Sequence, residues 1–149
     1  MDIKIKKLNE NAVIPKYAKP GDAGADITAI SKVSTKDYVE YGTGLSFEIP
    51  AGYVGLLFPR SSISTKDLSL CNAVGVLDSG YRGEVTFRFK RYHSPANTYE
   101  YNYNDYNIGD RVGQILIIKC DQFTFKEETE LSTTERGTGG YGSTNGNKK

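Results

Sequence analysis

Apolar and polar residues alternate with a period of two through much of the chain. Ile3 and Ile5 alternate with charged neighbours, and Val85, Phe87 and Phe89 alternate with Thr86, Arg88 and Lys90. That period puts the two sets on opposite faces of a half-buried strand. Two other runs, Tyr53 to Phe58 (YVGLLF) and Val112 to Ile118 (VGQILII), are apolar enough to predict largely buried strands. Glycine and proline interrupt the pattern at short intervals, at Pro20-Gly21, Gly42, Gly44, Pro50, Gly52, Pro59, Gly75, Gly80, Gly83 and Gly109. No segment keeps a helical period beyond one or two turns around Ser62 to Asp67. Many short strands with frequent turns predict an all-β sandwich or barrel.

Two segments depart from this pattern. Residues 92–107 (YHSPANTYEYNYNDYN) hold five of the eleven tyrosines, interleaved with Asn, Glu and Asp. They read as a long hairpin with one aromatic and one polar face. A stacking platform for single-stranded nucleic acid needs basic residues among the rings, and this segment has no Lys or Arg. The other segment is the glycine-rich end, RGTGGYGSTN from Arg136 to Asn145. Its GTGGYG matches the spacing of the dinucleotide-binding fingerprint, which must follow a strand and open a helix. Only seven residues follow Gly142, too few for a helix and a second strand.

A length of 149 residues with 38% hydrophobic content fits one domain with a true core. With 19 basic and 18 acidic residues, the charge balance argues against a general nucleic-acid or membrane-surface binder. No apolar run is long enough to span a bilayer, and MDIKIKKLNE lacks a signal-peptide core. Cys71 and Cys120 cannot define a disulfide scaffold, so a cytoplasmic setting is the simplest reading. A single histidine, His93, disfavours most zinc sites and any Ser-His-Asp or Cys-His machinery. Hydrolysis by this chain would rest on carboxylates, arginines and Mg²⁺.

Of six arginines, Arg88 and Arg91 sit in or beside a strand and read as surface charges. The other four, Arg60, Arg82, Arg111 and Arg136, lie in PRSS, YRGE, GDRVG and RGTGG. A guanidinium at a turn adds a rigid fork of donors to exposed backbone N–H groups, a combination suited to phosphate oxygens. Taken singly, each is equally a strand-end salt bridge; together they point to an anion site. Carboxylates also mark strand ends, at Asp22, Asp26, Asp78 and Asp110. Asp78 follows the apolar Val76-Leu77 and precedes a tight turn, where partial desolvation would favour a proton acceptor. Its plainer reading is a turn-forming Asp bonded to backbone N–H groups. Tyr81, in the same turn, is a packing residue or a support for a ligand.

In this order the segments resemble the five motifs of the homotrimeric dUTPase family. GDAGADI (Gly21 to Ile27) is similar to the first, PRSS (Pro59 to Ser62) to the second, and NAVGVLDSGYRGE (Asn72 to Glu84) to the third. GDRVGQILI (Gly109 to Ile117) and RGTGGYGST (Arg136 to Thr144) resemble the fourth and fifth. The resemblance implies a jelly-roll-like β subunit, a trimer with active sites shared between chains, and hydrolysis of dUTP to dUMP and pyrophosphate. It implies a body over residues 1–131 and a flexible arm over 132–149, exchanged between subunits. Asp78 would activate the water attacking the α-phosphorus. Arg60, Ser61, Ser62 and Gln114 would hold the phosphate chain, with Asp26 and Arg82 in support. Asn72 and the backbone of Gly75, Val76 and Leu77 would read the uracil edge, and Tyr81 would pack under the deoxyribose. Arg136 would meet the γ-phosphate, Tyr141 would stack over uracil, and Gly142 and Ser143 would donate to phosphates. Mg²⁺ would be held by triphosphate and water, without protein ligands.

The chain departs from the family pattern in four places. Tyr141 replaces the usual Phe, Ser62 often corresponds to Gly, and Gly80 stands where many members carry a second acid. Residues 92–107 are longer than the usual connection, which leaves room for a second protein partner and suggests a phage, prophage or bacterial source. Two other readings share the fold: a dCTP deaminase-like enzyme and a non-catalytic nucleotide-sensing or protein-binding module.

Overall fold

Each run picked out by its hydrophobic pattern is a strand. The computed structural model describes residues 2–92 and 104–140. In chain order its strands are β1 (Lys4–Lys7), β2 (Ala25–Thr28), β3 (Ser31–Ser34), β4 (Val39–Gly42) and β5 (Leu45–Glu48), then β6 (Tyr53–Phe58). A single 3-10 turn (Ser61–Thr65) follows, and then β7 (Leu68–Leu70), β8 (Gly75–Leu77), β9 (Thr86–Arg91) and β10 (Arg111–Lys119). That turn occupies the one place where a short helical period was expected. The strands form an antiparallel pair, β1-β5, and two antiparallel four-stranded sheets, β2-β10-β6-β8 and β3-β4-β9-β7. The fold is all-β and jelly-roll-like. No helix among the described residues is long and apolar enough to cross a membrane.

The inward faces of the two larger sheets build one core. Ile27, Leu57, Leu77, Val112 and Ile115 come from the first; Val39, Tyr41, Phe87 and Phe89 come from the second. Phe87 and Phe89 stack at 6.3 Å, and Tyr41 meets Phe89 edge-on at 5.9 Å. Gly113 explains how the sheets approach so closely. A Cβ there would lie 2.1 Å from the Phe87 ring and 2.9 Å from the Phe58 carbonyl, so only glycine lets the ring lie against β10.

Most of the tyrosine-rich segment lies outside the described residues, and the hairpin expected there is not assessed. Of its last residues, 104–107, only Tyr106 belongs to the core; Asp105 is partly buried and Asn104 and Asn107 are exposed. Tyr106 is 3% exposed and packs on Tyr41 and Phe89 at 6.0 and 5.9 Å. Its carbonyl accepts hydrogen bonds from the Tyr41 hydroxyl and Lys32 Nζ, both at 3.0 Å. Burial pushes the Tyr41 phenol up, so it donates here without ionising.

Arg91 is not the surface charge its sequence position suggested. Its side chain is 15% exposed and its Nη2 lies 2.6 Å from Asp105, which also meets Lys32 at 3.2 Å. The partner comes from the far end of the tyrosine-rich segment, a pairing that strand periodicity does not reveal. Arg88 stays at the surface, paired with Glu40. Burial raises the Asp105 carboxyl, but the hydrogen bonds and charges of Arg91 and Lys32 outweigh it and hold the group below its ordinary 3.8.

Replacing Asp105 by Asn should therefore cost about 2 kcal/mol near neutral pH, because two partly buried cations lose their anion. Since the native carboxyl is depressed, its contribution is complete above 3.8 and fades as pH falls through the lower native value. Urea unfolding of both proteins at pH 7 and below pH 3.8 checks this: the gap between them should narrow in acid.

Candidate active site

The register of one sheet assembles a cluster from three distant segments. On β10, Gln114 pairs with Asp26 of β2 on one side and Phe58 of β6 on the other. That row brings GDAGADI, PRSS and GDRVGQ to the same end of the sheet. Asp26 accepts hydrogen bonds from Arg60 Nε at 2.8 Å and Arg111 Nη1 at 3.0 Å. Gln114 Nε2 donates to the Pro59 carbonyl at 3.3 Å. The Gln114 side chain lies against Gly24, where an added Cβ would come within 2.1 Å of Oε1. Gly24, Asp26, Arg60 and Gln114 border an open cleft of about 280 Å³, together with Asp22 and Ser61.

Two guanidiniums share one carboxylate, so Asp26, Arg60 and Arg111 together carry a net positive charge, which Asp22 at the cleft offsets. Each guanidinium carries five N–H donors, and the bond to Asp26 fixes its direction while leaving others for an anion. The carboxylate thus orients the two cations. The 3-10 turn that carries Ser61 and Ser62 starts directly after Arg60. Ser62 departs from expectation: its hydroxyl lies 3.4 Å from the Tyr106 hydroxyl, on the side of the tyrosine-rich segment.

A second cluster surrounds β8. In the order β2-β10-β6-β8 this strand is at the edge, so one side of its backbone faces away from β6. Gly75 and Leu77 are buried, whereas Val76 is 65% exposed. The preceding turn places Ala73 at φ 57°, a conformation costly for a residue with a Cβ and typical of sites held by surrounding structure. Beyond β8, the Tyr81 N–H donates to the Asp78 carbonyl at 3.1 Å. Arg82 Nη1 donates to the carbonyls of Ser79 at 2.7 Å and Tyr81 at 2.8 Å. Arg82 therefore staples the turn and is not part of the anion cleft, which corrects its grouping with the phosphate-facing arginines. Tyr81 lies over Gly83 and its hydroxyl donates to the Glu84 carbonyl at 3.1 Å.

Asp78 is exposed, so the desolvation expected from its apolar neighbours is absent in the single chain. It is also far from the arginine cluster. Gly75 pairs with Leu57 and Leu77 with Gly55, so the chain leaves β8 towards the Val54 end of β6. Arg60 leaves β6 at the opposite end. Six residues of extended chain separate the two exits, about 20 Å at the usual rise.

Arg136 joins neither cluster. It is exposed, and its Nε donates to the Gly139 carbonyl within its own turn at 3.1 Å. Residues 121–140 contain no strand and are almost wholly exposed, including Phe123 at 77%, Phe125 at 97% and Leu131 at 86%. Tyr141, Gly142 and Ser143 lie outside the described residues. Asn72 is exposed in the turn before β8. Arg111 was legible as a turn arginine but not as a partner of Gln114, because three positions apart on a regular strand are opposite faces. A register shift between Arg111 and Gly113 restores them to one side.

The dUTPase family model matches residues 10–145. A deoxyuridine 5'-triphosphate nucleotidohydrolase of Rhodococcus erythropolis is 38% identical, over 98% of this chain and 87% of the relative. Among solved structures, a single-substitution variant of the Staphylococcus bacteriophage 80alpha dUTPase with dUpNHpp superimposes at a TM-score of 0.80. It is 28% identical, and the match covers 96% of this chain and 98% of that one. A variant dUTPase of Staphylococcus aureus phage phi11, described for its coordination of a structural Mg(II) ion, matches at 0.74 and 27% identity. That match covers 88% of this chain and 99% of the other.

The cleft makes its own prediction. Gly24→Ala should push the flexible end of Gln114 aside at little cost to folding, changing stability by about 1 kcal/mol or less. Affinity for inorganic triphosphate, measured by calorimetry, should fall several-fold. Unchanged affinity would place Gln114 outside the anion site.

Proposed function

The chain belongs to the dUTPase family, and we propose that it hydrolyses dUTP to dUMP and pyrophosphate at a site completed between copies of itself. The observation that carries this reading is the separation of the two clusters. The reacting α-phosphorus must meet both the phosphate-holding groups and the attacking water, yet the Asp78 turn after β8 and the arginine cleft lie at opposite ends of β6. A neighbouring copy that lays its cleft against this chain's β8 turn would bring Asp78 to a phosphate. A trimer closes such head-to-tail contacts into a ring.

At that junction the uracil edge would bond to the outward backbone of Gly75, Val76 and Leu77, with Asn72 beside it. Backbone groups at a sheet edge give a fixed donor and acceptor pattern, which excludes cytosine, and a narrow fit excludes the 5-methyl of thymine. Tyr81 would support the deoxyribose. Arg60, Ser61, Ser62 and Gln114 of the adjoining copy would hold the phosphate chain, oriented by Asp26, while Arg82 keeps the turn rigid. Asp78 would accept a proton from water as the water oxygen bonds to the α-phosphorus. The α–β bridging oxygen then departs with pyrophosphate.

The donor set suits a triphosphate that brings its own cation. Asp26 is committed to two guanidiniums, and no group of three or more His, Cys, Asp or Glu gathers among the described residues. Mg²⁺ carried by the triphosphate and water would neutralise phosphate charge. Residues 1–131 would act as the body and 132–149 as an arm that crosses to another subunit, with Arg136 on the γ-phosphate, Tyr141 over uracil, and Gly142 and Ser143 on phosphates. The absence of any strand in residues 121–140, almost wholly exposed in the single chain, supports this crossing. The relatives' shared name, and the intact Asp78 and Arg136, weigh against deamination and against a non-catalytic module.

Asp78→Asn should keep nucleotide affinity and lower turnover on the order of a thousandfold. Arg60→Ala should be similarly inactive through loss of phosphate grip. Refolded together, the two dead variants should regain pyrophosphate release, because some junctions then pair an intact Asp78 with an intact Arg60. No recovery from a mixture shown to exchange subunits would refute a shared site.

A further inference from the structure

The 3-10 turn of Ser61–Thr65 has no buried residue of its own and no side-chain cap at its start. A five-residue turn of this kind is not self-supporting. Its beginning is fixed by Arg60 on Asp26. Its end is fixed by the chain returning from the tyrosine-rich segment. Asn104 Nδ2 donates to the Thr65 carbonyl at 2.6 Å, while Lys66 Nζ donates to Asn104 Oδ1 at 3.1 Å and to the Asp105 carbonyl at 3.0 Å. Lys66 also sits 5.0 Å from the centre of the Tyr106 ring.

The same few residues hold both ends of the segment at one point. Tyr92 N–H donates to the Asp67 carbonyl at 2.9 Å, and Asn104 N–H donates to Asp67 Oδ2 at 3.0 Å. Asp105 then locks the junction to Arg91 and Lys32, and Tyr106 seats it in the core. The foot of the tyrosine-rich segment is thus a rigid block, and the end of the serine turn rests on it.

We infer that Asn104 is a positioning residue for the phosphate chain: it sets where Ser61 and Ser62 present their donors without touching nucleotide itself. Tyr106 has a weaker share, because 3.4 Å between its hydroxyl and that of Ser62 is long for a hydroxyl pair. A turn anchored only at Arg60 would pivot, and small displacements of donors weaken charge-assisted bonds to phosphate. The inference rests on the proposed dUTP reading and adds this chain's own segment to it.

Calorimetry with a non-hydrolysable imido analogue of dUTP and with dUMP tests it. Asn104→Ala should weaken the analogue about threefold to tenfold, the worth of one or two hydrogen bonds. It should leave dUMP affinity within about twofold, because dUMP lacks the outer phosphates that the serine turn would hold. Tyr106→Phe should move the analogue in the same direction by less. Parallel loss of analogue and dUMP affinity, or unchanged affinity for both in Asn104→Ala, would overturn the assignment. Binding of the analogue by the unaltered protein is measured first; its absence would refute the dUTP reading, whereas equal affinities of parent and variant refute only the role of Asn104.

Discussion

The antiparallel register of β6 governs everything else in this protein. With Leu57 opposite Gly75 and Gly55 opposite Leu77, the turn carrying Asp78 emerges where β6 begins. The arginine cleft forms where β6 ends, because Gln114 lies opposite Phe58. Strand pairing is stiff and a slip of one residue would turn every buried side chain outwards, so no local flexing can bring the two ends together. Under the proposed shared site, catalysis would call for a second chain, and the exposed Asp78 would belong to a surface finished by a neighbour.

Charge placement follows the same logic. Nothing in the cleft needs to be strongly basic in isolation, because Asp26 draws Arg60 and Arg111 to one spot and offsets part of their repulsion. An anion arriving there meets donors already aligned, so little reorganisation is left for the moment of reaction. The partly buried Asp105 does comparable work away from the site. It gathers Arg91 and Lys32 under Tyr106 and ties the foot of the tyrosine-rich segment to the core. Both carboxylates organise cations, whereas Asp22, Glu84 and Asp110 of the motifs accept from backbone N–H groups.

The long strands were legible because period and apolarity agreed: β6 matches YVGLLF residue for residue, and β10 extends VGQILII by one residue at each end. Strands of three or four residues, such as β3, β7 and β8, carry too few alternations to be read this way. In the site, motif order exposed Asp26, Arg60, Gln114 and Asp78 together, since each sits in a recognisable segment. Arg91 was misread and Asn104, Asp105 and Tyr106 were passed over for one reason. Their partners lie across a long connection, and no spacing along the chain encodes a contact that closes on the far side of an excursion. Arg82 shows the converse limit: a guanidinium beside glycine looks equally ready for phosphate or for its own turn, and only the carbonyls of Ser79 and Tyr81 decide.

An exposed carboxylate is a poor general base until its surroundings change. In the single chain Asp78 is exposed and well solvated, and the cleft of its own subunit lies at the other end of β6. Burying the turn against a neighbour's cleft, and covering it with the glycine-rich terminus, would strip that solvation and leave one water between carboxylate and phosphorus. Base, phosphates and arm would then be in place together. Under the proposed shared site, separating the Asp78 turn from the cleft along β6 would withhold the reactive arrangement from any subunit without a partner.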